Sequence, residues 1–431
     1  MTEGGEKAKR KLAIDISPLK KYRDFRNLWT AGLISYLGSM ITYVALPFQL
    51  KELTHSYVAV GILGTIEIVP LIIFGLYGGV LADAMDRKKL IWATEAAALL
   101  LVLALLINSF LPHPTTAVIY IVAALFAVVN GLQRPSMGAI LPRLVSHDDQ
   151  MAASSLLSVR YQLSHILGPT LGGIIFSTFS VSVGYQIDIA TYLISLFFLA
   201  RVRNIPPVDG GEKPSLAALF EGVRYAFSRQ DLLMTYIIDL CAMFFAMPNA
   251  LFPFWADALH APWALGLFYS AGMVGAIIFT LTSRWTNHYR FHGRAIIWAA
   301  IGWGVAIAMA GLSHSLILIL ICLALAGGSD QISALFRGVI WNQTIPDNLR
   351  GRLAGIEMLS YAVGPLAGQM RAASMAAATS LAFSVTAGGV ICVVVVAILA
   401  ILAPKFRNYD SETNEYAVAM REKRKSSENQ M

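Results

Sequence analysis

Ionisable side chains lie inside several long apolar segments of this sequence, where placing a charge costs free energy. In one segment Asp330 and Arg337 are seven residues apart, which brings both side chains to one face of an α-helix. Because seven residues rise about 10.5 Å along a helix, we expect each group to find its partner on another helix. Residues of this kind typically bind a charged solute or carry protons.

Carboxyl groups occur in three further apolar segments. Asp239 shares a helix face with Tyr236, three residues before it, whereas Glu67 and Asp188 stand in segments of their own. A carboxyl group that is removed from water can take up a proton on one side of a membrane and release it on the other. The sequence therefore contains several candidate proton carriers for transport driven by a proton gradient.

Arginine and aromatic side chains in the apolar segments indicate what kind of solute would fit. Arginine forms paired hydrogen bonds with carboxylate-like groups, so three arginines favour an anionic substrate. Tyrosines at helical spacing in the first segment would supply an aromatic wall for a large, partly aromatic molecule. The predicted substrate and proton pathway consists of Glu67, Arg134, Arg160, Asp188, Asp239, Asp330, Arg337, Tyr36 and Tyr43.

The composition shows which elements must position these residues. Of the 431 residues 56% are hydrophobic and only 14% are charged, and the mean hydropathy is +0.62. A soluble enzyme is improbable at this composition and a disordered chain is excluded. A hydrocarbon core about 30 Å thick needs ~20 apolar residues per helix. With that window we predict twelve spans, at 27–50, 57–82, 90–110, 116–141, 151–178, 182–200, 232–256, 263–283, 294–312, 315–342, 353–377 and 380–403.

The distribution of basic residues predicts the orientation of these spans. With the N-terminus inside, 28 of the 33 Lys and Arg residues fall in inner segments, and the outer loops hold only Lys51. Basic residues accumulate on the cytoplasmic side of membrane proteins, so both termini are predicted to be cytoplasmic. The net charge of +7 is then a topology signal that favours anionic lipid, and no nucleic-acid partner is predicted.

A repeated motif divides the chain into two halves. The segment that begins Gly168-Pro169 recurs 196 residues later as Gly364-Pro365, each time in the fifth span of a group of six. Matched halves of this kind imply a pseudo-two-fold axis along the membrane normal with a cavity between them. We predict an all-α membrane protein of two six-helix bundles, divided into an N-terminal tail 1–26, a first bundle 27–201, a linker 202–231, a second bundle 232–404 and a tail 405–431.

The loop between the second and third spans resembles a known signature. It runs from Gly78 to Lys89 and resembles the G-x-L-A-D-R-x-G-R-R/K-R/K loop of the major facilitator superfamily, except that Ala84 replaces Arg and Asp86 replaces Gly. The Gly-Pro-x-x-Gly-Gly segment resembles the antiporter motif of exporters in that superfamily, formed here by Gly168, Pro169, Gly172 and Gly173. The inner loops 134–145 and 346–352 are similar to the branch that holds macrolide efflux pumps and enterobactin-type siderophore exporters.

The resemblance implies a secondary active exporter in the cell inner membrane that works by alternating access. It implies a monomer that exchanges a small organic molecule, siderophore or drug-like, for protons, without a cofactor or metal. It also implies that Asp83 contacts the start of the eleventh span and latches the inner side shut, with Glu95 in the same charge network. The predicted gating residues are Gly79, Asp83, Arg87, Lys88, Arg350, Arg352 and Glu357.

Two alternatives remain open at this point. A proton-coupled nutrient importer of the same fold would share most of these features, although the antiporter motif argues against it. A membrane-embedded enzyme or receptor would need motifs that are missing, because no HExxH metal motif, phosphate-binding loop or nucleophile elbow is present. The three cysteines have no metal or disulfide spacing. The C-terminal segment 411–430 is polar and rich in charge, and we predict it to be disordered.

Overall fold

The structure is a computed structural model that describes residues 15–206 and 224–428, with some side chains inside helices left undescribed. Twelve long helices lie at the positions of the twelve predicted spans, and the described residues contain no strand. Ten of these helices are long and apolar enough to cross a membrane. The helices are α1 Arg23–Thr54, α2 Tyr57–Ala84, α3 Arg87–Phe110, α4 Thr116–Leu144, α5 Gln150–Thr178, α6 Val181–Ala200, α7 Gln230–Ala246, α8 Leu265–Thr282, α9 His292–Leu312, α10 Leu316–Thr344, α11 Asp347–Ala378 and α12 Leu381–Leu402.

The two halves of the chain repeat the same helix pairings. In the first half α1 packs on α5 and α6, α2 packs on α4, and α3 packs on α4 and α6. In the second half α7 packs on α11 and α12, α8 packs on α10, and α9 packs on α10 and α12. Each pairing in the first half has its counterpart six helices later. The prediction of two pseudo-symmetric six-helix bundles is confirmed.

The halves meet through α2 with α11 and through α5 with α8. Glycine allows these helices to approach closely, since a Cβ atom at Gly64 of α2 would overlap the carbonyl oxygen of Leu366 on α11. In the same way, a Cβ atom at Gly173 of α5 would overlap the backbone of Gly266 on α8. These contacts lie toward the side that the charge pattern predicts to face out of the cell, which we call the outer side.

Helix α7 is interrupted, and Arg371 of α11 stabilises the break. The helix ends at Ala246 and the chain continues through Pro248 into a short helix at Phe252–Ala258. Proline has no N–H and clashes with the carbonyl four residues earlier, which here belongs to Phe244. Arg371 Nε donates to that carbonyl at 3.4 Å, and its Nη1 donates to the carbonyl of Ser384 at 3.3 Å. The side chain of Arg371 therefore replaces a backbone donor that proline lacks.

The C-terminal tail is ordered as far as Glu428, so the prediction of disorder is wrong for residues 411–428, and residues 429 and 430 lie outside the described residues. Residues Glu415–Glu428 form a helix, α13, that packs against the inner end of α10. The ring of Tyr416 stacks on the guanidinium group of Arg229 at 3.6 Å, and Ala417 and Met420 are buried. Arg424 Nη2 also donates to the carbonyl of Asn342 at 2.9 Å. The segment is polar along its length, and these contacts with the bundle provide the stability that its composition does not.

Candidate functional site

An ion pair joins the two helices that carry the buried charges of the second half. The guanidinium group of Arg337 on α10 pairs with the carboxylate of Asp239 on α7, and both side chains are buried. Asp330 lies about two helical turns before Arg337 on α10, and its Oδ1 atom is 3.8 Å from Arg337 Nη2. The close partner of Arg337 comes from another helix, as the helical spacing predicts. For Asp330 the prediction is wrong, because its ion-pair partner is Arg337 on its own helix, whose long side chain reaches back along the helix. One buried cation thus lies between two carboxylates.

Aromatic residues close this site toward the inner side. The rings of Tyr236 on α7 and Trp341 on α10 are stacked with centroids 5.3 Å apart. Trp341 Nε1 donates to the hydroxyl of Thr235 at 2.9 Å, which holds the indole in place. Tyr236 and Trp341 lie on the helix stripes predicted from the sequence for Asp239 and Arg337. The stacked pair links α7 and α10 below the ion pair.

The first half has its own polar core, centred on Glu95 of α3. Its carboxylate accepts hydrogen bonds from Gln133 on α4 at 2.9 Å, from Ser195 on α6 at 2.9 Å and from Ser35 on α1 at 3.4 Å. The sequence places Glu95 in the charge network of Asp83, whose side chain lies outside the described residues. The Glu95 carboxylate faces the interior of the bundle, where three polar residues from three helices converge on it.

Arg160 of α5 lies beside this core and depends on a glycine for its position. Its guanidinium group occupies the space that a Cβ atom at Gly32 of α1 would fill. The side chain is 9% exposed and lies within electrostatic reach of Glu95 and Tyr36. Within the described part of the chain its Nη1 atom has no hydrogen-bond partner. Arg160 is thus held inside the first half, facing α1.

Tyr36 and Tyr161 bring the predicted pathway residues of the two halves toward one another. The Tyr36 ring on α1 lies 6.2 Å from that of Tyr161 on α5 and 5.9 Å from the imidazole of His165. Tyr161 is in turn within electrostatic reach of Arg134 on α4 and of Asp330 on α10. Tyrosine, arginine and aspartate side chains from both halves therefore face a common central region.

The two remaining carboxyl groups occupy different surroundings. Asp188 of α6 is fully buried, and it accepts hydrogen bonds from the hydroxyl groups of Thr42 and Thr191. Glu67 of α2 is partly exposed and lies within electrostatic reach of Tyr43, whose ring makes an edge contact with Tyr269 of α8 at 5.6 Å. Glu67 therefore lies near the interface between the halves, whereas Asp188 lies inside the first half.

The Gly-Pro motif makes its contacts differently from the prediction. Small residues four apart allow close helix packing, so Gly168 and Gly172 are predicted to lie at the interface between the halves. In the structure both glycines face α1 in their own half, with Gly168 against Met40. The interface residue is Gly173, because one further residue turns the helix by about 100°. A Cβ atom at Gly266 of α8 would overlap the carbonyl oxygen of Pro169. The motif thus packs α5 on two helices at once.

Little of the predicted gating loop can be described in atomic detail. The side chains of Asp83, Arg350, Arg352 and Glu357, and Gly79, lie outside the described residues. Arg87 is buried, and its backbone N–H donates to the carbonyl of Ile205 at 3.1 Å. Asp86, which replaces the usual glycine, accepts from the N–H of Lys89 at 3.1 Å. The aspartate thus caps the N-terminus of α3. Lys88 lies in the first turn of this helix.

An ion pair between the halves closes the outer side. Lys51, at the outer end of α1, is 7% exposed and pairs with Asp257 of the second half and with Glu52 at 2.7 Å. The ring of Tyr57 packs on Phe254 next to this pair, with centroids 4.3 Å apart. In the count of basic residues, Lys51 stands out only as the exception on the outer side. Its position as the single basic residue of the outer loops was the available signal.

Reversing the charge of Lys51 is expected to open the outer side. Lys51→Glu would place three carboxylates together, so we expect at least a fivefold increase in labelling of a cysteine at Ser270, a residue buried between α5 and α8. The measurement uses a membrane-impermeant maleimide and a chain without the three native cysteines. The charge swap Lys51→Glu/Asp257→Lys should return labelling to the starting level. Equal labelling of the single and double variants would contradict a role for the ion pair.

Comparison with known proteins agrees with this architecture. The family model described as transmembrane secretion effector matches residues 13–428. The enterobactin exporter of Citrobacter koseri is 26% identical over 397 residues, which cover 92% of this chain and 95% of that protein. The enterobactin exporter of Escherichia coli strain K12 is 26% identical over 400 residues, with the same coverage.

Solved structures of transporters share the fold at lower identity. The nucleoside transporter NupG aligns with a TM-score of 0.70 and 12% identity, covering 89% of this chain and 98% of that chain. A bacterial homologue of the iron transporter ferroportin, in an inward-facing state, aligns with a TM-score of 0.68 and 16% identity over 89% of this chain and 98% of that chain. At these identities the likeness shows the fold.

Proposed function

The chain belongs to the family of transmembrane secretion effectors in the major facilitator superfamily, and we propose that it exports an anionic, partly aromatic small molecule in exchange for protons. It is a multi-pass membrane protein and a transporter of small molecules. The observation that carries the proposal is the Arg337–Asp239 ion pair with Asp330 beside it. This site can bind either a proton at its carboxylates or an anionic substrate at Arg337.

The charged groups of the site can bind both partners of the proposed exchange. A single guanidinium group near two carboxylates leaves a net negative charge, which a proton neutralises at low cost in a membrane interior. An anionic substrate that binds Arg337 displaces Asp239. Exchange requires that the site bind the substrate and the proton in turn, so the carboxylates release their proton on the inner side before the substrate binds and take one up on the outer side after it leaves. Uptake of protons on the outer side and release on the inner side would then drive export. Glu67 and Asp188 are further candidates to carry protons on this route.

The proposed substrate class is that of catecholate siderophores. The similar proteins from Citrobacter koseri and Escherichia coli are enterobactin exporters. Catecholates are aromatic and anionic, so Arg134 and Arg337 could bind their oxygens while Tyr36 and Tyr161 pack on their rings.

We propose that the protein lies in the inner membrane as a monomer with both termini in the cytoplasm. The count of basic residues on each side supports this orientation. In this arrangement Asp83 would meet the start of α11 near Arg350 and Arg352 when the inner side closes. The N-terminus of a helix attracts a carboxylate with about 0.3–2 kcal/mol, which is enough to bias two states without freezing either.

Transport in vesicles of defined sidedness tests the proposed direction and coupling. We expect inverted vesicles with an acidic lumen to accumulate iron-free enterobactin several-fold above vesicles without the protein, and a protonophore to abolish the gradient of enterobactin. Right-side-out vesicles with an acidic exterior should show no such accumulation. Accumulation in the right-side-out vesicles alone would identify a proton-coupled importer instead.

A further inference from the structure

A small cavity lies next to the ion pair of the second half. Its volume is about 10 Å³, which is the space that one water molecule needs. Three helices contribute to its wall, which consists of Asp239, Ala242, Met243, Ala299, Ala300, Trp303, Asp330 and Ser333. The cavity therefore joins the two carboxylates to Trp303 of α9, a residue that the sequence analysis did not single out.

The polar atoms around the cavity select the kind of molecule that fits it. Asp239 Oδ2 and Trp303 Nε1 are buried, and neither has a hydrogen-bond partner within residues 15–206 and 224–428. A carboxylate oxygen accepts hydrogen bonds, whereas the indole N–H can only donate one. A metal cation could not accept from the indole, and two carboxylates would repel an anion. A water molecule satisfies both, since it donates and accepts.

The two carboxylates differ in their access to solvent. The side chain of Asp330 is 40% exposed, whereas that of Asp239 is 3% exposed. A proton from the central region therefore reaches Asp330 directly but reaches Asp239 only through another group. A water molecule in the cavity would provide that connection.

We propose that one water molecule, held by Trp303, links Asp330 to Asp239 and that the two carboxyl groups share a single transported proton. The Asp330 carboxyl group gives its proton to the water oxygen while the water gives one of its own protons to Asp239 Oδ2, so the water is regenerated. Trp303 is a positioning residue in this step. The inference deepens the proposed proton exchange and rests on it.

The helices around Asp239 and Asp330 carry further ionisable groups. Arg337 is the cation in contact with both carboxylates, and Asp330 also lies within electrostatic reach of Tyr161 across the central region. The helices packed against α7 and α10 carry Tyr269 on α8, His292 and Arg294 on α9, Arg371 on α11 and Cys392 on α12, while α13 lies at the inner end of α10. Helix α11 also carries Asp347, Arg350, Arg352, Glu357 and Tyr361, whose side chains lie outside the described residues.

Infrared titration of the purified protein tests the inference without any substrate. The C=O stretch of a protonated carboxyl group is resolved from that of a carboxylate. In difference spectra between the unchanged protein and each variant, we expect the same titrating carboxyl band, which is lost both in Asp239→Asn and in Asp330→Asn. Trp303→Phe keeps the ring but removes the indole N–H, and we expect the pH midpoint of this band to move by about half to one unit, the effect of one lost hydrogen bond.

The matched control is Trp298→Phe on the same helix, because Trp298 is 68% exposed and does not line the cavity. Its midpoint should equal that of the unchanged protein. Two separate bands, each removed by only one aspartate variant, would overturn the sharing of one proton. An unmoved midpoint in folded Trp303→Phe protein would overturn the role of the indole. Because no substrate is used, failure of enterobactin export in vesicles leaves this result standing, and the two failures are distinguishable.

Discussion

Arg337→Gln is expected to abolish export of an anionic siderophore and to spare export of a cationic dye such as ethidium. A hydrogen bond to a charged group contributes about 1.5–3 kcal/mol, which corresponds to roughly a 10- to 150-fold loss of transport. The glutamine retains polarity but supplies no positive charge for a catecholate oxygen. The measurement is the initial rate of enterobactin and ethidium accumulation in inverted vesicles with an acidic lumen.

The same substitution leaves Asp239 buried without its cation, and breaking a buried pair costs about 3–5 kcal/mol. A second variant is therefore needed to separate folding from function. Arg337→Gln/Asp239→Asn removes both charges, so we expect its yield and thermal stability to recover while enterobactin export stays absent. Loss of ethidium export with retention of enterobactin export would contradict an anionic substrate.

Gly266→Ala is expected to prevent closure of the outer side. The added Cβ atom would overlap the carbonyl oxygen of Pro169 and the Cα atom of Thr170, which are backbone atoms of the opposite half. Overpacking of this kind costs about 1–3 kcal/mol. Because the cost arises only when α5 and α8 meet, it shifts the equilibrium toward an open outer side by about five- to more than a hundredfold. We expect labelling of the cysteine at position 270 to rise accordingly and export to fall.

Two other glycines of α8 provide controls for this experiment. Gly275→Ala would overlap the carbonyl oxygen of Ala324 in the same half, so we expect it to lower thermal stability without a comparable increase in labelling. Gly272→Ala meets its nearest atom at 3.9 Å, and we expect neither effect. Gly272→Ala and Gly275→Ala gain the same helix propensity because both lie in the helix interior, so that contribution cancels between the two controls. If Gly266→Ala and Gly275→Ala gave the same labelling, the glycine contact between the halves would not control the outer side.

Segment length and hydropathy were enough to predict the twelve helices, because the thickness of a bilayer sets how many apolar residues a crossing needs. The repeated Gly-Pro motif was enough to predict two matched bundles, since each copy packs its helix on the first helix of its own half, Gly168 on Met40 and Gly364 on Met243. Helical spacing placed Asp330 and Arg337 on one face of α10. These features depend on the local periodicity of the sequence and do not depend on how the helices pack.

The partners of the charged groups were decided only when the helices packed. Arg337 pairs with Asp239, Glu95 binds serine and glutamine residues of its own bundle, and Lys51 pairs with Asp257 of the other half. Each pairing depends on how far a helix is rotated about its axis and where it crosses its neighbour. A rotation of one residue, about 100°, moves the interface from Gly172 to Gly173. The sequence did not predict helix α13, because contacts with residues distant in the chain stabilise this helix and its own polar composition does not.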